Sequence, residues 1–136
     1  MDSISRERRS RNMSLIGSKD TKPEMLLRKK LFSCGYRYRV HYRVGGVTVD
    51  VAFPARKKAI NVHGCFWHQH PGCNEASKPK SNQAFWRDKL QRNITRDEYV
   101  SILLNKAGWD ILVVWECDLE KNLRSEITKT VAFILG

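Results

Sequence analysis

The stretch HGCFWHQHPGC, His63 to Cys73, packs two cysteines, three histidines and an adjacent pair of bulky aromatics into eleven residues. It follows KKAINVHG, an apolar run of strand type, so any fold this chain adopts must deliver the cluster to the rim of a sheet. Structural zinc takes four ligands, mostly Cys and His, in a tetrahedron. Cys65 and Cys73 supply two thiolates, and a third ligand comes from His68 or His70. For the fourth, Cys117 at the end of the apolar run WDILVVWEC suits a loop at a sheet edge, with Cys34 as its rival. A lone cysteine is usually a small buried hydrophobe, and Cys34 reads that way; the density of ligands around Cys65 and Cys73 favours metal.

At 136 residues the chain has the length of one ordinary domain. Its 25 Lys and Arg against 14 Asp and Glu leave a formal charge of +11, which predicts an anionic partner. A membrane surface and nucleic acid both fit, but the longest uninterrupted apolar runs, such as Ile111 to Trp115, are far too short to span a bilayer. The N-terminus is basic and has neither the apolar stretch nor the cleavage site of a secretory signal. A cytoplasmic, nucleic-acid-facing protein is expected, and in a reducing cytosol a Cys and His cluster is more often a metal site than a set of crosslinks.

Residues 1–20 read as a basic arm, with Ile4, Met13, Leu15 and Ile16 too few to make a core, and 21–136 as a single domain. TKPE, Thr21 to Glu24, predicts a helix start with a hydroxyl N-cap, first-turn proline and third-position glutamate; the helix should run to about Cys34 and end at Gly35. YRYRVHYRV has the alternation of a half-exposed strand with a basic face, turning at Gly45-Gly46. VTVDVAFP and KKAINVHG predict two central strands. Beyond the polar connector ASKPKSNQ, AFWRDKLQRN is helical, and Tyr99, Val100, Leu103, Leu104 and Ala107 mark a second amphipathic helix closing at Gly108. WDILVVWEC predicts a buried strand and Ser125 to Leu135 a last helix, giving an α/β fold with a mixed central sheet flanked by helices.

Asp50, inside VTVDVAF, is a carboxylate in an apolar strand, which costs free energy unless it is paired or binds a cation. Its ordinary explanation is a bond to Arg43 or to a backbone donor; its functional one is Mg²⁺, which favours carboxylate and carbonyl oxygens and stabilises charge on a phosphate under attack. Many Mg²⁺-dependent nucleases follow such a strand with an acidic-x-lysine motif, and here Asn61, Val62 and His63 stand in that place. With the lysine missing, His63 or His68 must move the proton near neutral pH. Asp97, read as lying at a helix start, is a candidate to orient that histidine, although first-turn charge complementarity explains it equally well. Glu24 is similarly explained by the capping box with Thr21. Phe66-Trp67 sits next to the metal loop, Phe85-Trp86 starts a helix between Lys78, Lys80, Arg87 and Lys89, and Met13 with Ile16 lies in the basic arm, a pattern of apolar wedges beside phosphate-holding cations.

RSRNMSLI, the Asp50 strand, HGCFWH, FWRDKLQRNITRD and GWDILVVWEC, in that order, resemble the very-short-patch repair (Vsr) mismatch endonucleases. The resemblance implies a restriction-endonuclease-like core with a structural zinc and nicking of one strand at T:G mismatches left by 5-methylcytosine deamination. It implies Mg²⁺ on Asp50 and the Val62 carbonyl, water activation by His68 oriented by Asp97, and assistance from His63 and Glu24. It also implies zinc on Cys65, His70, Cys73 and Cys117; DNA stacking by Phe66, Trp67 and Trp86 from the major groove and by Met13 and Ile16 from the minor groove; and contacts from Lys89 and from Asn93 at the mismatch. Implied partners are T:G-mismatched duplex, a cytosine-5 methyltransferase and the mismatch-repair machinery, for a monomeric, nucleoid-associated enzyme. The chain departs from a representative of the family in HQHPGC, one residue longer up to its second cysteine, in Val62 where threonine stands, and in YRVHYRVGG. The competing expectations are an endonuclease of the same fold cutting paired duplex and a non-catalytic, zinc-stabilised DNA-binding module.

Overall fold

The computed structural model describes residues 20–77 and 80–136. Helix α1, Lys22–Ser33, starts as its sequence dictates: the Thr21 hydroxyl accepts the Glu24 N–H at 3.4 Å and a proline occupies the first turn. Strands β1, Arg39–Val44, and β2, Val47–Phe53, form a hairpin through Gly45 and Gly46, both at positive φ, the conformation a two-residue hairpin turn demands. A single 3₁₀ turn leads to β3, Lys58–His63, antiparallel to β2.

Helix α2, Gln83–Lys106, then crosses over to β4, Asp110–Trp115, which pairs parallel with β3. The AFWRDKLQRN stretch and the amphipathic helix closing at Gly108 are thus one continuous helix, because no glycine or proline interrupts Gln83–Lys106. Asp97 consequently lies mid-helix and not in a first turn, which removes charge complementarity to a helix end as its explanation. Helices α3, Glu116–Lys121, and α4, Leu123–Leu135, complete the chain. Cys117 therefore sits in the first turn of α3, two residues beyond the end of β4 and not at the strand end expected for it.

The mixed sheet has the order β1-β2-β3-β4, with the two strands read as central in the inner positions. β4 is an edge strand, so it is mostly half-buried instead of buried, with Val114 its one fully covered residue. One face packs Leu27, Leu31, Val51, Phe53, Ile60, Val114, Leu119, Ile127 and Ile134 beneath α1, α3 and α4. The other packs Val44, Val47, Val49, Ala52, Ala59, Val100, Leu104 and Trp109 against α2.

These two cores expose a reversal within β2. Strict alternation would send Val47, Val49, Val51 and Phe53 to one face, yet Val47 and Val49 join the α2 core while Val51 and Phe53 join the opposite one. The strand turns over at Asp50. β1 turns over with it: Tyr38 packs on the first core and Tyr42 on the second, and His41 between them has a left-handed backbone, φ +48°. Since both strands reverse together, their register holds on either side, Val40 opposite Val51 and Tyr42 opposite Val49.

Candidate functional site

The parallel strands β3 and β4 end level with each other, His63 beside Trp115, and the Cys/His loop leaves from that rim. Ligand atoms of Cys65, His70, Cys73 and Cys117 all lie within 4.8 Å of one another. The His70 Nδ1 stands 3.7 Å from the Cys65 Sγ and 3.4 Å from the Cys117 Sγ. Tetrahedral zinc with bonds of about 2.3 Å to sulfur and 2.0 Å to nitrogen separates such ligands by about 3.6 Å, so this donor set fits zinc. Burial pushes the Cys65 thiol well above its ordinary range and the Cys117 thiol in the same direction, so a bound cation is what would hold them as thiolates. Main-chain bonds preform the loop: His70 N–H to the Cys65 carbonyl at 3.0 Å and Cys73 N–H to the His70 carbonyl at 3.3 Å. The Glu116 carboxylate accepts the Cys65 N–H at 3.2 Å. Cys34 is exposed and outside this set.

His68, the other candidate third ligand, groups with His63 and Asp97 and not with the thiols. Its Nδ1 is 2.7 Å from the Asp97 Oδ2, and His63 Nε2 is 3.9 Å from the other Asp97 oxygen. An ionised carboxylate at Nδ1 keeps the proton there and leaves Nε2 basic. The His63 ring stacks on His68 at 3.8 Å and meets the Trp115 ring edge-on at 5.2 Å, while Trp115 stacks on His70 at 4.1 Å. One aromatic pile thus joins the Cys/His cluster to the histidine and carboxylate pair. Burial, and then the neighbouring His68, lower the His63 pKa to about 4, so His63 is neutral at pH 7.

Asp50 lies where β2 turns over. Its Oδ2 accepts the Val62 N–H at 2.8 Å, the backbone-donor arrangement, and its own N–H donates to the Asn61 Oδ1 at 2.9 Å. Within a strand the N–H and C=O of one residue face the same way, so the Val62 carbonyl opens towards the side on which Asp50 lies. Burial, opposed by the Val62 bond and reinforced by the Glu24 charge, raises the Asp50 pKa to about 6. A buried carboxylate with a strand carbonyl beside it fits a hard divalent cation such as Mg²⁺, which would relieve the cost of its charge. Glu24 is 2% exposed, and its carboxylate goes to Arg28 Nη1 at 2.8 Å, so N-capping explains only its backbone. Arg28 also holds Asp20 at 2.7 Å, and His41 bonds Asp20 at 3.0 Å and stands 3.7 Å from Glu24.

Phe66, Trp67, Phe85 and Trp86 form one aromatic cluster, with Phe66 to Trp67 at 5.1 Å, Phe66 to Trp86 at 5.4 Å and Phe85 to Trp86 at 5.3 Å. Lys89 Nζ lies 5.6 Å from the Trp67 ring, and Asn93 Nδ2 donates to the Trp67 carbonyl at 3.0 Å. Met13, Ile16 and Lys78 fall outside the described residues. Asn61, His41, Arg28, Trp115 and Glu116 were not singled out as contributors by sequence reasoning. Only Arg28 carried a usable signal, its i,i+4 spacing from Glu24.

A histidine oriented by a carboxylate next to a buried acidic residue is the equipment of a hydrolase more than of a binding module. The family model described as DNA mismatch endonuclease Vsr matches residues 1–75. The Type II nicking enzyme V.XorIIP of Xanthomonas oryzae pv. oryzae is 42% identical over 118 residues, covering 87% of this chain and 86% of that one. The Type II nicking enzyme V.NmeAIP of Neisseria meningitidis is 41% identical, covering 88% and 84%. The DNA mismatch endonuclease Vsr of Escherichia coli is 35% identical, covering 82% and 70%. The chain belongs to the Vsr family of DNA mismatch endonucleases and is a DNA endonuclease of the nicking kind. Among the described residues no helix is long and apolar enough to cross a membrane.

Proposed function

We propose that this endonuclease nicks one strand of duplex DNA at T:G mismatches arising from 5-methylcytosine deamination, with Mg²⁺ as its catalytic ion and zinc as a structural one. The observation that carries the reading is the 2.7 Å bond between His68 Nδ1 and Asp97. It leaves Nε2 as the base that takes a proton from the attacking water, while Asp97 holds the ring and stabilises the imidazolium that forms. Asp50 and the Val62 carbonyl would hold Mg²⁺, which when bound supplies electrostatic stabilisation of the charge growing on the phosphate. Neutral His63, stacked on His68, fixes its plane and can donate to a phosphate oxygen; Glu24, whose charge acts on Asp50, would add negative charge to the Mg²⁺ site.

Cys65, His70, Cys73 and Cys117 would hold zinc, which ties the loop carrying His68, Phe66 and Trp67 to α3. The aromatic cluster, with Trp86, would enter the base stack from the major groove while Lys89 and the other cations hold phosphates; Met13 and Ile16 of a 1–20 arm would enter from the minor groove, and Asn93 would contact the mismatch. The reading takes residues 21–136 as one restriction-endonuclease-like domain acting as a monomer on nucleoid DNA in the cytoplasm. It serves a companion cytosine-5 methyltransferase and hands its nick to mismatch repair.

The test is incubation of a T:G-containing duplex with Mg²⁺. Nicking should be lost in Asp50→Ala while duplex binding is retained; an Asp50→Ala protein that still nicks would remove Asp50 from the chemistry.

A further inference from the structure

Asn61 stands where many Mg²⁺-dependent nucleases carry the first acidic residue of their second strand motif, yet it is not acidic, and the chemistry proposed above gives it no role. Its surroundings assign it a different task. The ladder between β2 and β3 runs through Phe53 opposite Lys58, Ala52 opposite Ala59 and Val51 opposite Ile60, and stops there. One step further β2 turns over while β3 does not: Ile60 and Val62 both pack on the first core. A reversal in one strand alone denies the peptide at that point its regular ladder partners, and an unpaired buried N–H costs about 1–3 kcal/mol. At this step the Asn61 Oδ1 accepts the Asp50 N–H at 2.9 Å, and the Asp50 Oδ2 accepts the Val62 N–H at 2.8 Å. Two side-chain-to-backbone bonds crossing in opposite directions replace the ladder. On the other side of Asp50, His41 at φ +48° is absent from the β1 register.

We infer that Asn61 is a positioning residue that sets the orientation of the Asp50 carboxylate towards the catalytic cation, by capturing the Asp50 peptide where β2 reverses. The inference rests on the reading of Asp50 as a metal ligand. The clamp predetermines both oxygen donors: holding the Asp50 peptide fixes the root of its side chain, and the return bond to Val62 N–H fixes the peptide flanking the Val62 carbonyl. Asparagine adds no second charge beside Asp50 and spends its own oxygen on the backbone.

The experiment compares Asn61→Leu, which keeps the volume and deletes the acceptor, with Asn61→Asp, which keeps the acceptor. Two quantities are read: the Mg²⁺ concentration giving half-maximal nicking, and hydrogen exchange at the Asp50 amide in DNA-free, Mg²⁺-free protein. Asn61→Leu should raise the half-saturating Mg²⁺ about tenfold, the equivalent of one net hydrogen bond, and speed Asp50 amide exchange by a similar factor. Asn61→Asp should keep the amide protected and need no more Mg²⁺ than the parent. An Asn61→Leu protein that melts like the parent, with the parent's Mg²⁺ requirement and exchange rate, overturns the inference. So does an Asn61→Asp protein as impaired as Asn61→Leu. If the parent enzyme itself does not respond to Mg²⁺, it is the reading of Asp50 that fails, and this inference falls with it.

Discussion

Replacing Asp50 by Asn should stabilise the metal-free protein while abolishing nicking. An aspartate ordinarily titrates at 3.8, and burial holds this one at about 6. At roughly 1.4 kcal/mol per tenfold change in a proton equilibrium, ionised Asp50 costs the folded state about 3 kcal/mol. Because the folded pKa lies above the unfolded one, the stability associated with protonated Asp50 is fully present below pH 3.8. It is lost as pH rises through 6. Asn is neutral at every pH and its amide oxygen still accepts the Val62 N–H, so it avoids the loss. The gain from Asp50→Asn should therefore be near zero below pH 4, grow up to pH 6 and level off at about 3 kcal/mol. His63 acts with the opposite sign: held at about 4 against the usual 6.5, it contributes stability that is present above pH 6.5 and lost as pH falls through 4. It is common to both proteins and cancels in the difference. Urea unfolding from pH 4 to 8, in Mg²⁺-free buffer without a chelator that would strip the thiol site, gives both curves. Mg²⁺ should then stabilise the parent and leave the variant unchanged. A gap at pH 7 that is absent, or one that does not vary with pH, would refute the reasoning.

Asp97→Asn should lower the nicking rate by about 10²- to 10⁴-fold with duplex affinity unchanged, since it removes the carboxylate that orients His68; a tenfold loss or less in single-turnover rate would deny His68 the role of base. Metal analysis after Mg²⁺ removal should find one zinc per chain, and Cys117→Ser should lose it together with several degrees of melting temperature; a parent protein without zinc would contradict the reading of the Cys/His cluster. Trp115→Leu should slow nicking by about tenfold with zinc retained, because it breaks the pile joining His70 to His63; unchanged rates would make Trp115 a core residue only. Trp67→Ala should narrow the rate ratio between mismatched and paired duplex, a ratio measured directly in competition, and an unaltered ratio would exclude Trp67 as a wedge.

Local chemistry made parts of the fold legible. The Thr21 N-cap, the paired glycines of the hairpin and the inner position of β2 and β3 follow from neighbouring residues, and the structure places them as expected. The reversal at Asp50 was not legible. Val47, Val49, Val51 and Phe53 have the spacing of one continuous face, and what divides them is the left-handed backbone of His41 one strand away together with two side-chain bonds to β3. Asp97 was misplaced because a charge before an amphipathic stretch resembles a helix start, whereas the helix had begun fourteen residues earlier at Gln83. Within the Cys/His loop composition pointed to a metal but could not choose between His68 and His70. That choice depends on where the loop carries each ring, and the loop passes through a left-handed residue, Gln69, between the two histidines.

The most direct measurement is single-turnover nicking, in Mg²⁺, of two duplexes identical except for one T:G or T:A pair, repeated over a panel of flanking sequences. In at least one context the T:G duplex should be nicked on one strand, leaving a 3′-hydroxyl and 5′-phosphate, at least a hundredfold faster than its T:A counterpart. Equal cutting of the paired duplex in every context would contradict mismatch recognition and favour an endonuclease acting on ordinary DNA.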